Sequence, residues 1–283
     1  THKEKLTYTP DVKIKKMINK SFQITHSTYL KLFKFIFFLR YVFLIFFIAL
    51  AIFITVPKFF NYEKKQQIFK QHLIKNYNIN LKTYKEIQFK IFPLPNITIS
   101  KANLKIKDEQ IFLNSENIVL FLNLKNIYNY KNFNTKKILL NNTRLSIEFE
   151  KIGKILKYLT NLKKKLDVKK LDLVLKNNES QVITLSDINF FNHGYKKNNI
   201  NGKIFNKNFS LKLDSNYKNI NFKILNTGIN AKIILDDIKK TNTIIGSSKI
   251  NILNNYLKLN FSFNEGVINF SNSSLKNKDI LLN

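Results

Sequence analysis

The chain is 283 residues long, carries 48 basic against 18 acidic residues for a formal charge of +30, and contains no cysteine. Without cysteine there is no disulfide framework, thiolate zinc site or cysteine nucleophile. The basic excess is largely compositional: only Arg40 and Arg144 are arginine, while Lys, Asn, Ile and Phe abound as in an A/T-rich genome, whereas a nucleic-acid surface favours arginine forks.

Residues 1–34 are polar, basic and without sustained periodicity, which predicts a disordered N-terminal tail. The only methionine is Met17, so the chain is either a fragment or starts there. From Phe35 to Val56 the sequence runs 22 residues with Arg40 as its one charge, and about 20 residues at roughly 1.5 Å each cross a hydrocarbon core. Phe35, Tyr41, Leu44, Phe47, Leu50, Phe53 and Val56 are the anchoring side chains, and Arg40 reaches the headgroups along its own stem. Pro57 and Lys58 close the span, giving a transmembrane helix over 35–57. Ala49-Leu50-Ala51 offers the competing reading of a cleaved signal peptide, but it lies inside the apolar run and is followed by Ile-Phe-Ile. Lysines flank both ends, so charge does not orient the helix.

Phe69, Leu73 and Tyr77, spaced by four, predict a juxtamembrane amphipathic helix within residues 58–80. The period then changes to two. Over 84–283 apolar and polar residues alternate: Leu145, Ile147 and Phe149; Leu171, Leu173 and Leu175; Phe209, Leu211 and Leu213; Ile220, Phe222 and Ile224; Leu257, Leu259, Phe261 and Phe263; Ile268 and Phe270. Strands recur every ten to twelve residues, with Asn-rich turns and hairpin turns expected at Asn254-Asn255 and Glu265-Gly266. Such spacing predicts an elongated, curved antiparallel sheet with a groove-like apolar face. One or two short helices pack on it: Ile152, Ile155, Leu156, Leu159 and Leu162 form one helical face, and a second helix is expected near Leu124–Tyr130. A parity change near Lys101-Ala102 predicts a bulge or bend. The apolar trio Ile280–Leu282 leaves room for the sheet to continue past Asn283.

Catalytic chemistry has few candidates. His2, His26, His72 and His193 show no metalloprotease spacing, and there is no Gly-rich phosphate loop or nucleophile elbow. Asn192-His193-Gly194 reads as a turn, and Asp236-Asp237 as a solvated pair. No enzyme, cofactor or metal is read. Nor are aromatics and bases interleaved on one face, so no nucleic-acid partner is expected.

Phe89 to Ile99 runs strand, Phe92-Pro93-Leu94-Pro95 break, strand. An N-terminal anchor, a short helix, this F-P-x-P hairpin, and then Ile118–Asn123, Ile138–Leu140 and Arg144-Leu145-Ser146-Ile147-Glu148 resemble the start of the AsmA-like proteins of Gram-negative bacteria over about residues 36–190. Tyr84-Lys85-Glu86 stands where that family commonly has a glycine. The resemblance implies a single-pass inner-membrane protein with its C-terminal domain in the periplasm. It further implies a role in phospholipid transport or outer-membrane assembly, with membrane, phospholipid and envelope proteins as partners. Phe209, Leu211, Leu213, Ile220, Phe222, Ile224, Leu257, Leu259, Phe261, Phe263, Ile268 and Phe270 are then the acyl-chain-facing residues. The alternative is a membrane-anchored structural or adaptor protein in which the same face is an ordinary core.

Overall fold

In the computed structural model, residues 10–107, 111–123, 127–178, 180–195, 197–214, 218–236, 243–264 and 267–277 are described. They divide into two units, residues 1–56 and 57–283. The first is built on one helix, α1 (Pro10–Thr55). Pro10 suits a first helical turn, and no Gly or Pro interrupts the run to Pro57. Residues 10–34 are thus helical where an irregular tail was expected. A long apolar helix supplies the costly nucleus, so each added residue needs only propagation. Residues 1–9 of that tail lie outside the described residues. The stretch Lys31–Phe59 is long and apolar enough to cross a membrane. Phe35, Arg40, Tyr41, Leu44, Phe47, Leu50 and Phe53 all sit on α1 with their side chains exposed, and Val56 opens the 3-10 turn Val56–Phe59.

The second unit opens with a 3-10 turn and α2 (Gln66–Tyr77). Phe69, Leu73 and Tyr77 are buried on one helical face, as their spacing predicts. The helix is shorter than 58–80 because Asn78 turns left-handed (φ 56°) and its N–H caps the Ile74 carbonyl at 3.0 Å. The chain then enters β1 (Ile79–Thr83), a strand the periodicity did not reveal.

Among the described residues fourteen strands form one unclosed, curved sheet. β1 and β2 (Glu86–Lys90) pair with successive parts of the same edge of β3 (Asn96–Ile106). The order then follows the sequence through β4 (Ile111–Leu122), β5 (Thr135–Glu148), β6 (Leu166–Asn177), β7 (Ser180–Phe191), β8 (Asn199–Ile204) and β9 (Lys207–Leu213). β10 (Asn219–Ile224), β11 (Ile229–Leu235), β12 (Ile244–Ile252), β13 (Asn255–Asn264) and β14 (Val267–Asn277) complete it. The pairs are antiparallel with one exception. β5 and β6 are parallel, because α3 (Ile152–Asn161) carries the chain back to the starting end between them. A purely antiparallel meander is therefore corrected at that step. The helix expected near Leu124–Tyr130 is absent from its described part: 127–130 is irregular, and 124–126 lie outside the described residues. Glu265-Gly266 and Ile280–Leu282 also lie outside them.

Two local rules shape the strands. In the β12–β13 hairpin Ile250 pairs with Leu257 and Ile252 with Asn255, so the turn closes on Leu253-Asn254, one residue earlier than turn chemistry predicts. Keeping the apolar face in register outweighs the cost of holding Leu253 at φ 54°. The parity change foreseen at Lys101 extends across the sheet. Lys101, Asn142, Lys170 and Asp187 in β3, β5, β6 and β7 all have φ between 46° and 52°. In β4 the buried parity changes at Glu116, which receives the Asn142 amide at 2.7 Å. From β3 to β6 the insertions align: Ser100 pairs with Asn117 and Ala102 with Ser115, then Asn141 with Lys169 and Thr143 with Leu171. The ladder stays in register while each strand re-phases its alternation. Buried side chains from both halves of β3, β4, β5 and β6 thereby reach one core.

That core lies between β1–β7 and the helices α2 and α3, and includes Phe69, Leu73, Ile99, Ile118, Leu140 and Tyr158. A buried polar knot ties it together. His72 Nε2 meets Thr135 Oγ1 at 2.9 Å, and the Tyr158 hydroxyl donates to the Tyr77 carbonyl at 2.8 Å. Burial pushes His72 down to about 4 and raises the Tyr158 hydroxyl well above its ordinary range.

Candidate functional site: the apolar face of β8–β14

Registers bring the twelve expected groove residues onto one face. Phe222 pairs with Leu211 on one side and Ala231 on the other; Ala231 pairs with Ile250, Ile250 with Leu257, and Leu257 with Leu275. With Ile200 opposite Leu211, this row of apolar positions crosses seven strands. Parallel rows run Phe209–Ile224–Ile229–Ile252 and Leu213–Ile220–Ile233–Ser248–Leu259. A third pairs Gly246 with Phe261 and Phe261 with Phe270, and a fourth pairs Ile244 with Phe263 and Phe263 with Ile268. The alternating Lys212, Asn221, Lys223, Lys232, Lys249 and Lys258 take the other face, since successive strand residues point to opposite sides.

Cover over this face is graded. Phe209, Leu213 and Ile220 are buried; Leu211, Phe222, Ile224, Leu257, Leu259, Phe261 and Phe263 are half-buried; Ile268 and Phe270 are exposed. The cover nearest Leu213 comes from α3 and the turn before it. Leu159 packs on the Leu213–Ile220–Leu235 cluster, and the Phe149 ring meets Phe263 edge-on at 5.6 Å. A methyl on Gly153 would sit 3.1 Å from Ile244 Cδ1. β14 has no helix over it among the described residues, and leaves Phe270 58% and Leu275 54% exposed.

Two glycines in the face escaped the pattern reading. Gly202 pairs with Phe209 and Gly246 with Phe261. A Cβ at Gly202 would lie 2.9 Å from both the Phe209 ring and the Ser186 carbonyl, and one at Gly246 would lie 2.5 Å from the Ile234 carbonyl and 3.0 Å from Phe261 Cζ. In both hairpins a phenylalanine ring occupies the space a side chain would need. A glycine inside an apolar strand was the available signal. Ser248 places a buried hydroxyl without a hydrogen-bond partner between Ile233 and Leu259, the one polar side chain in its row.

The histidines come to no common site. His2 lies outside the described residues, His26 is on α1, and His72 belongs to the core knot. His193 Nε2 lies 2.7 Å from Asp167 Oδ1, off the line of a hydrogen bond, while Lys137 Nζ holds the other carboxylate oxygen at 2.5 Å. This trio closes strand ends around a buried aspartate. Asp236 is exposed and Asp237 lies outside the described residues. Among the described residues no group of three His, Cys, Asp or Glu side chains could hold a metal ion.

No family model, curated protein or solved structure matches the chain.

Proposed function

We propose that this is a membrane-anchored envelope protein whose open sheet shelters phospholipid acyl chains, in the manner its AsmA-like resemblance implies. α1 is its single-pass anchor in the inner membrane, and the sheet lies in the periplasm. The observation that carries the reading is the seven-strand apolar row, half-buried from Ile200 to Leu257 and exposed at Leu275 on β14. An apolar face of that extent leaves a large hydrophobic surface in water unless something apolar covers it. Extraction of the purified full chain, followed by lipid analysis, should recover phospholipid in excess of that held by the isolated helix. Absence of such lipid from a folded domain would refute the reading. A phosphatase fused after Asn283 should be active, and activity of a cytoplasm-dependent reporter instead would reverse the topology.

The contacts of α3 favour a second reading for part of the face. Leu159, Phe149 and Gly153 close over Leu213, Phe263 and Ile244, so that portion serves as core. The lipid-facing portion is then the row Phe222, Ile250, Leu257 and Leu275, with β14.

A further inference from the structure

We propose that the Phe92–Pro95 loop between β2 and β3 is a second, peripheral membrane contact, seating Phe92 and Leu94 at the boundary between lipid headgroups and acyl chains. The inference rests on the reading of Lys31–Phe59 as a membrane span. Phe60 is the residue that follows that span. Its ring meets Tyr128 at 5.8 Å and Tyr62 at 6.4 Å, and Tyr62 stacks on Phe89 at 6.1 Å. Phe89 pairs with Ile97 and Lys90 with Asn96, the last pair before the loop. A chain of ring contacts therefore ties the hairpin tip to the residues that leave the span.

The tip is built to present side chains outward. The Asn96 side chain, itself buried, donates to the Leu94 carbonyl at 2.7 Å and the Phe92 carbonyl at 3.4 Å, while the Leu122 N–H donates to the Pro95 carbonyl at 3.0 Å. Pro93 and Pro95 have no N–H to satisfy. Three of the tip's carbonyls are thus satisfied within the protein, which lowers the cost of moving the tip into a less polar layer. Phe92 is nevertheless 86% exposed and Leu94 49%, with Phe59 and Tyr128 also exposed at this end of the unit. Exposed Lys58 and Lys90 flank the apolar group, and Glu63 and Glu86 are occupied by the Tyr84 hydroxyl, the Ile87 N–H and the Gln88 amide. Aromatic and aliphatic tips rimmed by lysine suit an interface with anionic headgroups.

The chain contains no tryptophan, so a single introduced indole reports its own surroundings. Phe92→Trp and Phe112→Trp are placed in the full chain, reconstituted in vesicles of phosphatidylcholine and phosphatidylglycerol with acyl-brominated phosphatidylcholine as quencher. Phe112 is 60% exposed on the neighbouring strand and pairs with Lys105, nine residues along β3 from Asn96, or about 30 Å. Phe92→Trp should emit to the blue and be quenched several-fold more than Phe112→Trp, and Tyr128→Trp should follow Phe92→Trp. Water-like, unquenched emission from Phe92→Trp in vesicle-bound protein would overturn the proposal, as would equal quenching at 92 and 112. Recovery of the chain away from the vesicles would instead refute the span itself.

Discussion

Replacing Phe270 and Leu275 together with aspartate separates a lipid-covered face from a protein core. Both side chains are more than half in water already, at 58% and 54% exposure. Less than half of the roughly 2–3 kcal/mol available from burying each is realised in the fold. The double substitution should therefore cost at most about 3 kcal/mol of domain stability, since both carboxylates remain solvated. Leu213 and Ile220, each 8% exposed beneath α3, provide the contrast. Alanine at either should cost about 2–4 kcal/mol through lost transfer energy and an unfilled cavity. Urea unfolding followed by far-UV circular dichroism measures both pairs, and lipid analysis of the same preparations measures bound phospholipid. The expected result is a folded Phe270→Asp/Leu275→Asp protein with much of its lipid lost, beside destabilised alanine variants. If the aspartate pair unfolds the domain as severely as the alanine pair, or leaves bound lipid unchanged, acyl chains do not lie against β14.

Other outcomes follow from single residues. His72 is held at about 4 against about 6.5 when unfolded, mainly by burial, so its stabilising contribution is complete above pH 6.5 and is lost as pH falls through 4. The loss is at most about 3 kcal/mol, and His72→Gln should flatten the stability slope between those pH values; an unchanged slope refutes the assignment. Gly246→Ala should destabilise the domain by about 1–3 kcal/mol, because its Cβ meets the Ile234 carbonyl; an unaffected urea midpoint would show that the strand yields freely. Phe47→Lys, near the middle of the span, should raise the cost of insertion by about 3 kcal/mol and increase the fraction released by alkaline carbonate. Equal retention in the pellet would show that α1 is not what holds the protein there.

Alternation along each strand is a local property, so the sequence alone determined that Phe209, Leu211, Leu213 and their counterparts in β10, β13 and β14 share a face. The span, α3 and the buried stripe of α2 were legible for the same reason: a period of 3.6 or a long uncharged run needs no partner to be seen. Other features depend on residues far apart in the chain. β1 is recognisable as a strand only because β3 offers it an edge, and β5 and β6 run parallel only because α3 spans the core between them. The re-phasing at Asn142, Lys170 and Asp187 carries no sequence mark, because an Asn, Lys or Asp is tolerated in many turns and strands alike. Only alignment of neighbouring strands turns Lys101, Asn142 and Lys170 into one line from β3 to β6. Which part of the apolar face is core was likewise a tertiary decision. Leu159 and Phe149 reach Leu213 and Phe263 across large separations in sequence, and periodicity records which side a residue faces but not what lies opposite.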